Sequence, residues 1–89
     1  MSINTSDRGR VLIVDDDRKI VDLLGELLEL EGYQIATAAD GSEAFDLAIS
    51  FAPDLVVSDV VMPVLGGLEL CRRLKDDFRT AFIPVLLIS

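Results

Sequence analysis

Two short stretches hold most of the side chains able to do chemistry. In "VLIVDDDRKI", residues 11–20, Asp15, Asp16 and Asp17 stand in a row directly after four apolar residues. In "DLVVSDVVMP", residues 54–63, Asp59 ends a second apolar run in the same way. Carboxylates gathered at strand ends repel one another: two unit charges about 4 Å apart cost roughly 4 kcal/mol at an effective dielectric of 20. A divalent cation among them removes that cost. The chain has no histidine and its one cysteine is Cys71, so the usual zinc ligand set is missing and any metal must be held by oxygen. Few protein ligands, all oxygen, with several retained waters suit Mg²⁺. A carboxylate whose charge is screened in this way is a usable nucleophile toward phosphorus, the product being an acyl phosphate.

Helix capping is the competing account of an acid that follows a strand. It fits Asp17, but one cap needs only one of the three neighbouring acids. It does not fit Asp59, because no helical pattern starts for several residues after it. Pro63 and Gly67, in the loop that follows, are explained equally well by a required turn geometry and by ordinary loop punctuation.

The elements that must position these acids can be read from periodicity. Residues 11–14 are all apolar and mostly β-branched, a continuous pattern expected of a strand covered on both faces, as in parallel sheets. Asp17 caps a helix predicted to run to about residue 31, with Ile20, Leu24, Leu27 and Leu28 inward and Gly32 as the left-handed stop. "YQIATA", residues 33–38, reads as a second strand. Asp40 and Glu43 have capping-box spacing for a second helix with Ala44, Leu47 and Ala48 inward, closed by Pro53. Residues 54–59 form the third strand. A third helix is predicted over about residues 68–77 with Leu70, Cys71 and Leu74 inward, and Pro84 opens a fourth strand, "VLLIS". Strand and helix in alternation mean an α/β fold with a parallel sheet. In such a sheet ligands sit outside the carboxyl ends of the strands. Asp15, Asp16 and Asp59 meet there if the first and third strands are neighbours.

Composition narrows the classes further. A chain of 89 residues is a single domain and buries only about 60–65% of its unfolded surface. Sixteen acidic against eight basic residues, a net charge of −8, argue against nucleic-acid binding, which needs clustered Lys and Arg. No apolar run approaches the roughly 18 residues that cross a bilayer, and the start lacks a secretion signal, so no membrane partner is implied and a cytoplasmic location is expected. Residues 1–9 are polar and aperiodic and read as a flexible lead-in to a domain spanning residues 10–89.

"LIVDDD", "LVVSDVVMP", "GGLEL" and "IPVLLIS", in this order and spacing, resemble the receiver domain of two-component response regulators over residues 10–89. The resemblance implies a flavodoxin-like sheet in which Asp59 is the phosphoacceptor. A sensor histidine kinase or phosphotransfer protein would supply the phosphoryl group, and an output domain or partner protein would receive the signal. It implies Asp16 as the direct Mg²⁺ ligand, Asp15 acting largely through water, and the backbone carbonyl of Val61 completing the protein ligands. It also implies that Ser89 contacts a phosphoryl oxygen and repositions on phosphorylation. Such a domain is a phosphoacceptor, not an enzyme in the ordinary sense.

The sequence departs from the family pattern in several places. It stops at Ser89, before the family's fifth strand with its lysine and aromatic switch residue, and before the last two helices. Lys75, inside the third helix, is no substitute for that lysine, so poor phosphorylation is expected. Gly66 stands where an acid is common, and apolar Val61 beside the acceptor implies that hydrolysis of the phosphate is not unusually fast. An incomplete sheet with an exposed fourth strand is expected to exchange elements with a second copy, giving a homodimer, or to aggregate.

Two rival functions remain open at this level. Asp15 and Asp17 form a D-x-D pair that resembles haloacid-dehalogenase-type phosphatases with Asp15 as nucleophile. That family usually follows the pair with small or hydroxyl residues, where this chain has Arg18 and Lys19, and it gives no reason for "SDVVMP". The other rival is a receiver-like scaffold that binds a partner through its third helix and fourth strand without phosphorylation.

Overall fold

The computed structural model describes residues 8–88. The chain runs β1 (Arg10–Val14), α1 (Arg18–Leu30), β2 (Gln34–Ala38), α2 (Gly41–Ser50), β3 (Leu55–Asp59), α3 (Gly67–Asp76) and β4 (Val85–Ile88). All strand pairs are parallel and the sheet order is β2-β1-β3-β4. The first and third strands are therefore neighbours, as convergence of the acids requires. Val14 pairs with Ser58, so Asp15 and Asp59 emerge at the same level.

The unbroken apolar pattern of β1 follows from helices on both faces of the sheet. Leu12 and Val14 pack with Ala44, Ala48, Leu70 and Leu74 of α2 and α3. Val11 and Ile13 pack with Val21 of α1. Among the described residues the second layer is the thinner, with α1 alone covering that face.

Helix α1 begins where expected, with Asp17 as N-cap accepting from Lys19 N at 3.0 Å. It ends in a Schellman arrangement: Tyr33 N donates to the Leu28 carbonyl, Gly32 N to that of Glu29, and Gly32 takes φ +98°. Its inward face differs from the predicted one. Val21 and Gly25 are buried and Leu24 and Leu28 pack beside them, whereas Ile20 and Leu27 are 42% and 51% exposed. The reason is rotation: seven of the thirteen residues of α1 are apolar, and the arc that meets Ile13 and Ile35 is displaced from the one that spacing alone selected.

In α2 the Asp40 carboxylate accepts from Glu43 N at 2.9 Å, but Glu43 Oε1 accepts from Ala39 N at 3.2 Å, one residue before the expected partner. Helix α3 buries Leu70 and Leu74 completely and leaves Cys71 only half-buried. The connection to β4 is held by polar contacts. Thr80 Oγ1, fully buried, donates to the Leu74 carbonyl at 2.7 Å, and Lys75 Nζ donates to the carbonyls of Ala81 and Ile83.

Before β1, Arg8 N donates to the Gly32 carbonyl, and the Gly9 carbonyl accepts from Gln34 N. Residues 1–7 of the expected lead-in lie outside the described residues. No helix among the described residues is long and apolar enough to cross a membrane.

Candidate functional site

Three acids converge at the carboxyl end of the sheet, each placed by a different local device. Asp15 is still part of the sheet's hydrogen bonding, its N–H donating to the Ala38 carbonyl at 3.1 Å, and its side chain is buried. Its Oδ1 accepts from Asp17 N at 2.9 Å, a contact that turns the chain into α1. Asp16, between them, is exposed, and Asp59 is half-buried as the last residue of β3. One carboxylate oxygen from each of Asp15, Asp16 and Asp59 lies within 4.8 Å of the others. They open onto a cleft of about 420 Å³ lined by these three together with Asp17, Ile20 and Ile88.

Among the described residues no basic side chain lines that cleft. Burial pushes the Asp15 carboxyl above its ordinary value; the charges of Asp59 and Asp16 push the same way, against the opposing effect of the Asp17 N–H. A site with this charge balance favours taking up a proton or a cation. Its donors are oxygen only, within reach of one another, and partly open to water, which fits a small, hard divalent cation.

Asp17 lines the same cleft, but its Oδ1 is committed to Lys19 N as the helix cap. In the D-x-D reading, the second carboxylate is thus also the helix cap.

The segment after Asp59 is stitched in place by its backbone. Val60 N donates to the Ile88 carbonyl at 3.0 Å, and the Val60 carbonyl accepts from Gly67 N at 2.9 Å. Leu65 N donates to the Pro63 carbonyl across Val64, whose φ of 69° gives the strained form of a three-residue turn, unusual for a β-branched residue. Val61 N approaches Asp59 Oδ1 at 3.4 Å, and the Val61 side chain is 78% exposed. Ser89 lies outside the described residues, next to Ile88 of the cleft wall.

Gly67 has a role that sequence reasoning left open between turn geometry and punctuation. A Cβ at this position would run into the backbone carbonyl of Asp59 and approach Leu87 to 3.1 Å. Only hydrogen lets α3 start against the strand end that carries Asp59. Sequence reasoning missed Ile20 and Ile88 as cleft walls, because apolar residues in a helix and a strand give no signal for a site.

The model of the response regulator receiver domain family matches residues 11–89. The chain is 44% identical over 80 residues to the DNA-binding dual master transcriptional regulator RpaA of Synechocystis, covering 90% of this chain and 33% of that protein. It is 45% identical over 80 residues to the response regulator PleD of Caulobacter vibrioides, covering 90% of this chain and 18% of that one. The chain thus spans a third or less of these regulators' length. Among solved structures, the N-terminal domain of a response regulator receiver protein from Methanoculleus marisnigri superposes with a TM-score of 0.89 at 37% identity, over 93% of this chain and 68% of that one. The chemotaxis response regulator CheY4 of Vibrio cholerae gives 0.83 at 37%, over 88% and 65%. With this match across nearly all of the described residues, a flavodoxin-like sheet order through its fourth strand, and an acidic cluster where β1 and β3 end side by side, the chain belongs to the response regulator receiver domain family of two-component signalling.

Proposed function

We propose that this receiver accepts a phosphoryl group on Asp59 from the phosphohistidine of a sensor kinase or phosphotransfer protein and passes its state to an output domain or partner. The observation that carries the reading is the meeting of Asp15, Asp16 and Asp59 in one cleft with no side-chain cation to balance them. One oxygen of Asp59 attacks phosphorus; a P–O bond forms as the P–N bond breaks, and the imidazole leaves with the bonding electron pair. Mg²⁺ held by Asp16, Asp59 and, through water, Asp15 would neutralise charge on the equatorial phosphoryl oxygens. The Val61 carbonyl as a further ligand and Ser89 as the contact to a phosphoryl oxygen complete the assignment. The buried carboxylate of Asp15, held by the Asp17 N–H, keeps the acidic pair in position before any ligand arrives.

The test is intact mass after incubation with acetyl phosphate and Mg²⁺. The expected result is one added phosphate, labile to hydroxylamine and lost in Asp59→Asn. Phosphate retained by Asp59→Asn but lost in Asp15→Asn would overturn this assignment in favour of the phosphatase-like one.

A further inference from the structure

Gly41 opens α2 and is buried, and its backbone conformation is one that any residue adopts, since among the described glycines φ is positive only at Gly9 and Gly32. Glycine is a poor helix former, so the reason for it here is space rather than conformation. A Cβ at this position would stand 2.5 Å from the Leu65 carbonyl oxygen and 2.9 Å from Leu65 Cβ. With hydrogen alone, the Gly41 N–H, which has no partner within its own helix, donates to that carbonyl at 3.0 Å. Leu65 belongs to the segment that follows Asp59, so the start of α2 holds the far end of the loop that leaves the site.

That loop is closed at its base and bent at its tip. At the base, Gly67 N donates to the Val60 carbonyl. Toward the tip, Met62 is buried in the core and Leu65 packs against it from the rim, with Val64 between them at φ 69°. A β-branched residue keeps so sparsely populated a conformation only where its surroundings impose it. Met62 and the contact of Leu65 with Gly41 are the fixed points on either side. Val61, whose N–H approaches Asp59 Oδ1 at 3.4 Å, lies between these points and the base. The anchor itself is stiff: the Asp40 carboxylate accepts from Glu43 N, and Glu43 Oε1 accepts from Ala39 N. Just before it, the Ala38 carbonyl accepts from Asp15 N. Residues 38–41 thus grip both acid-bearing segments, the end of β1 through Ala38 and the segment after Asp59 through Gly41.

We propose that Gly41 is a positioning residue of the acidic site. Lacking a side chain, it lets the corner between β2 and α2 set residues 60–65 relative to Asp15, and with them the place of the Val61 carbonyl beside Asp59. For its effect on metal affinity this rests on the reading of that carbonyl as a Mg²⁺ ligand; the placement itself belongs to the metal-free chain. A methyl group on residue 41 displaces the loop rather than the helix, because Asp40 and Glu43 hold the helix start while Val64 is already strained.

Gly41→Ala in the 89-residue chain tests this. In metal-free buffer the backbone resonances of Asp59 and Val61 are expected to shift, while those of Leu12 and Ile13 in β1 stay in place. Mg²⁺ affinity, by titration calorimetry, is expected to fall about tenfold or more. Adding Val64→Gly frees the loop to draw back from the methyl and restores most of that affinity. Gly25→Ala is the control: this buried glycine of α1 would bring its Cβ to an ordinary 3.7 Å from Ile35, and affinity is unchanged. If Gly41→Ala fails to fold, Leu65→Ala loosens the same contact from the loop side and is expected to shift Asp59 and Val61 likewise. Unmoved Asp59 and Val61 resonances in the folded variant overturn the proposal. So does an affinity loss that Val64→Gly leaves in place, which would mark Gly41 as serving its helix alone. A parent chain that binds no Mg²⁺ overturns the metal reading of Val61, and the metal-free shifts still decide the role of Gly41.

Discussion

At the carboxyl end of the sheet, Asp15, Asp16 and Asp59 share a cleft whose walls hold no cation. At the amino end, Asp54 and Asp77 are both engaged. Asp54 Oδ2 accepts from Arg10 N at 2.8 Å, and Asp77, just past α3, holds the Arg79 guanidinium through Nε at 3.0 Å and Nη2 at 2.7 Å. The pKa directions follow the partners: Arg79 draws Asp77 down to about 2, while burial and neighbouring charge raise Asp15. One chain thus treats identical side chains in opposite ways: beside Asp77 the fold places a guanidinium, whereas among the described residues no basic side chain lines the cleft of the three acids.

The largest effect separating the two ends is expected from Asp16→Asn. Its Mg²⁺ affinity should fall by at least the roughly 10–100-fold seen when even outer partners of metal ligands are removed. Titration calorimetry measures this, with Asp54→Asn, at the other end, unchanged in affinity. Equal loss in both would break the distinction.

A smaller effect is expected in the pH dependence of stability without divalent cations. Because Asp15 binds its proton more tightly in the folded chain, its contribution is fully present below its unfolded value near 3.8 and is lost as pH rises through the raised folded value. Thermal melts should show that loss, and Mg²⁺ or Asp15→Asn should abolish it. The smallest effect belongs to Asp77, whose sign is reversed. Its contribution is present above 3.8 and lost as pH falls toward about 2. Arg79→Ala should erase that acid limb, and salt should shrink it in the parent, since the pair is exposed. A limb insensitive to Arg79→Ala would show that the pairing does not set it.

How much of this was legible in the sequence differs by element. The strands, their parallel arrangement and the meeting of the acids followed from apolar runs ending in aspartate, because burial on both faces leaves no other pattern. The caps at Asp17 and Asp40 were equally plain, since a short acceptor before an apolar period has few other uses. The inward arc of α1 was not legible: Ile20, Val21, Leu23, Leu24, Leu27, Leu28 and Leu30 are apolar almost all round, and packing against Ile13 and Ile35 makes the choice. Nor was the positive φ of Val64, a conformation normally announced by Gly or Asn. At the site, residue types gave the chemistry, but the reason for Gly67 is a backbone approach between residues eight apart, which no local pattern records.

Val60 joins three parts of the molecule with one peptide's worth of atoms: it follows Asp59 directly, its N–H is spoken for by β4, and its carbonyl by the first turn of α3. A displacement of the chain at this point has no slack in which to dissipate. The residue after Asp59 is thereby tied to a helix and a strand whose other ends lie across the domain from the cleft.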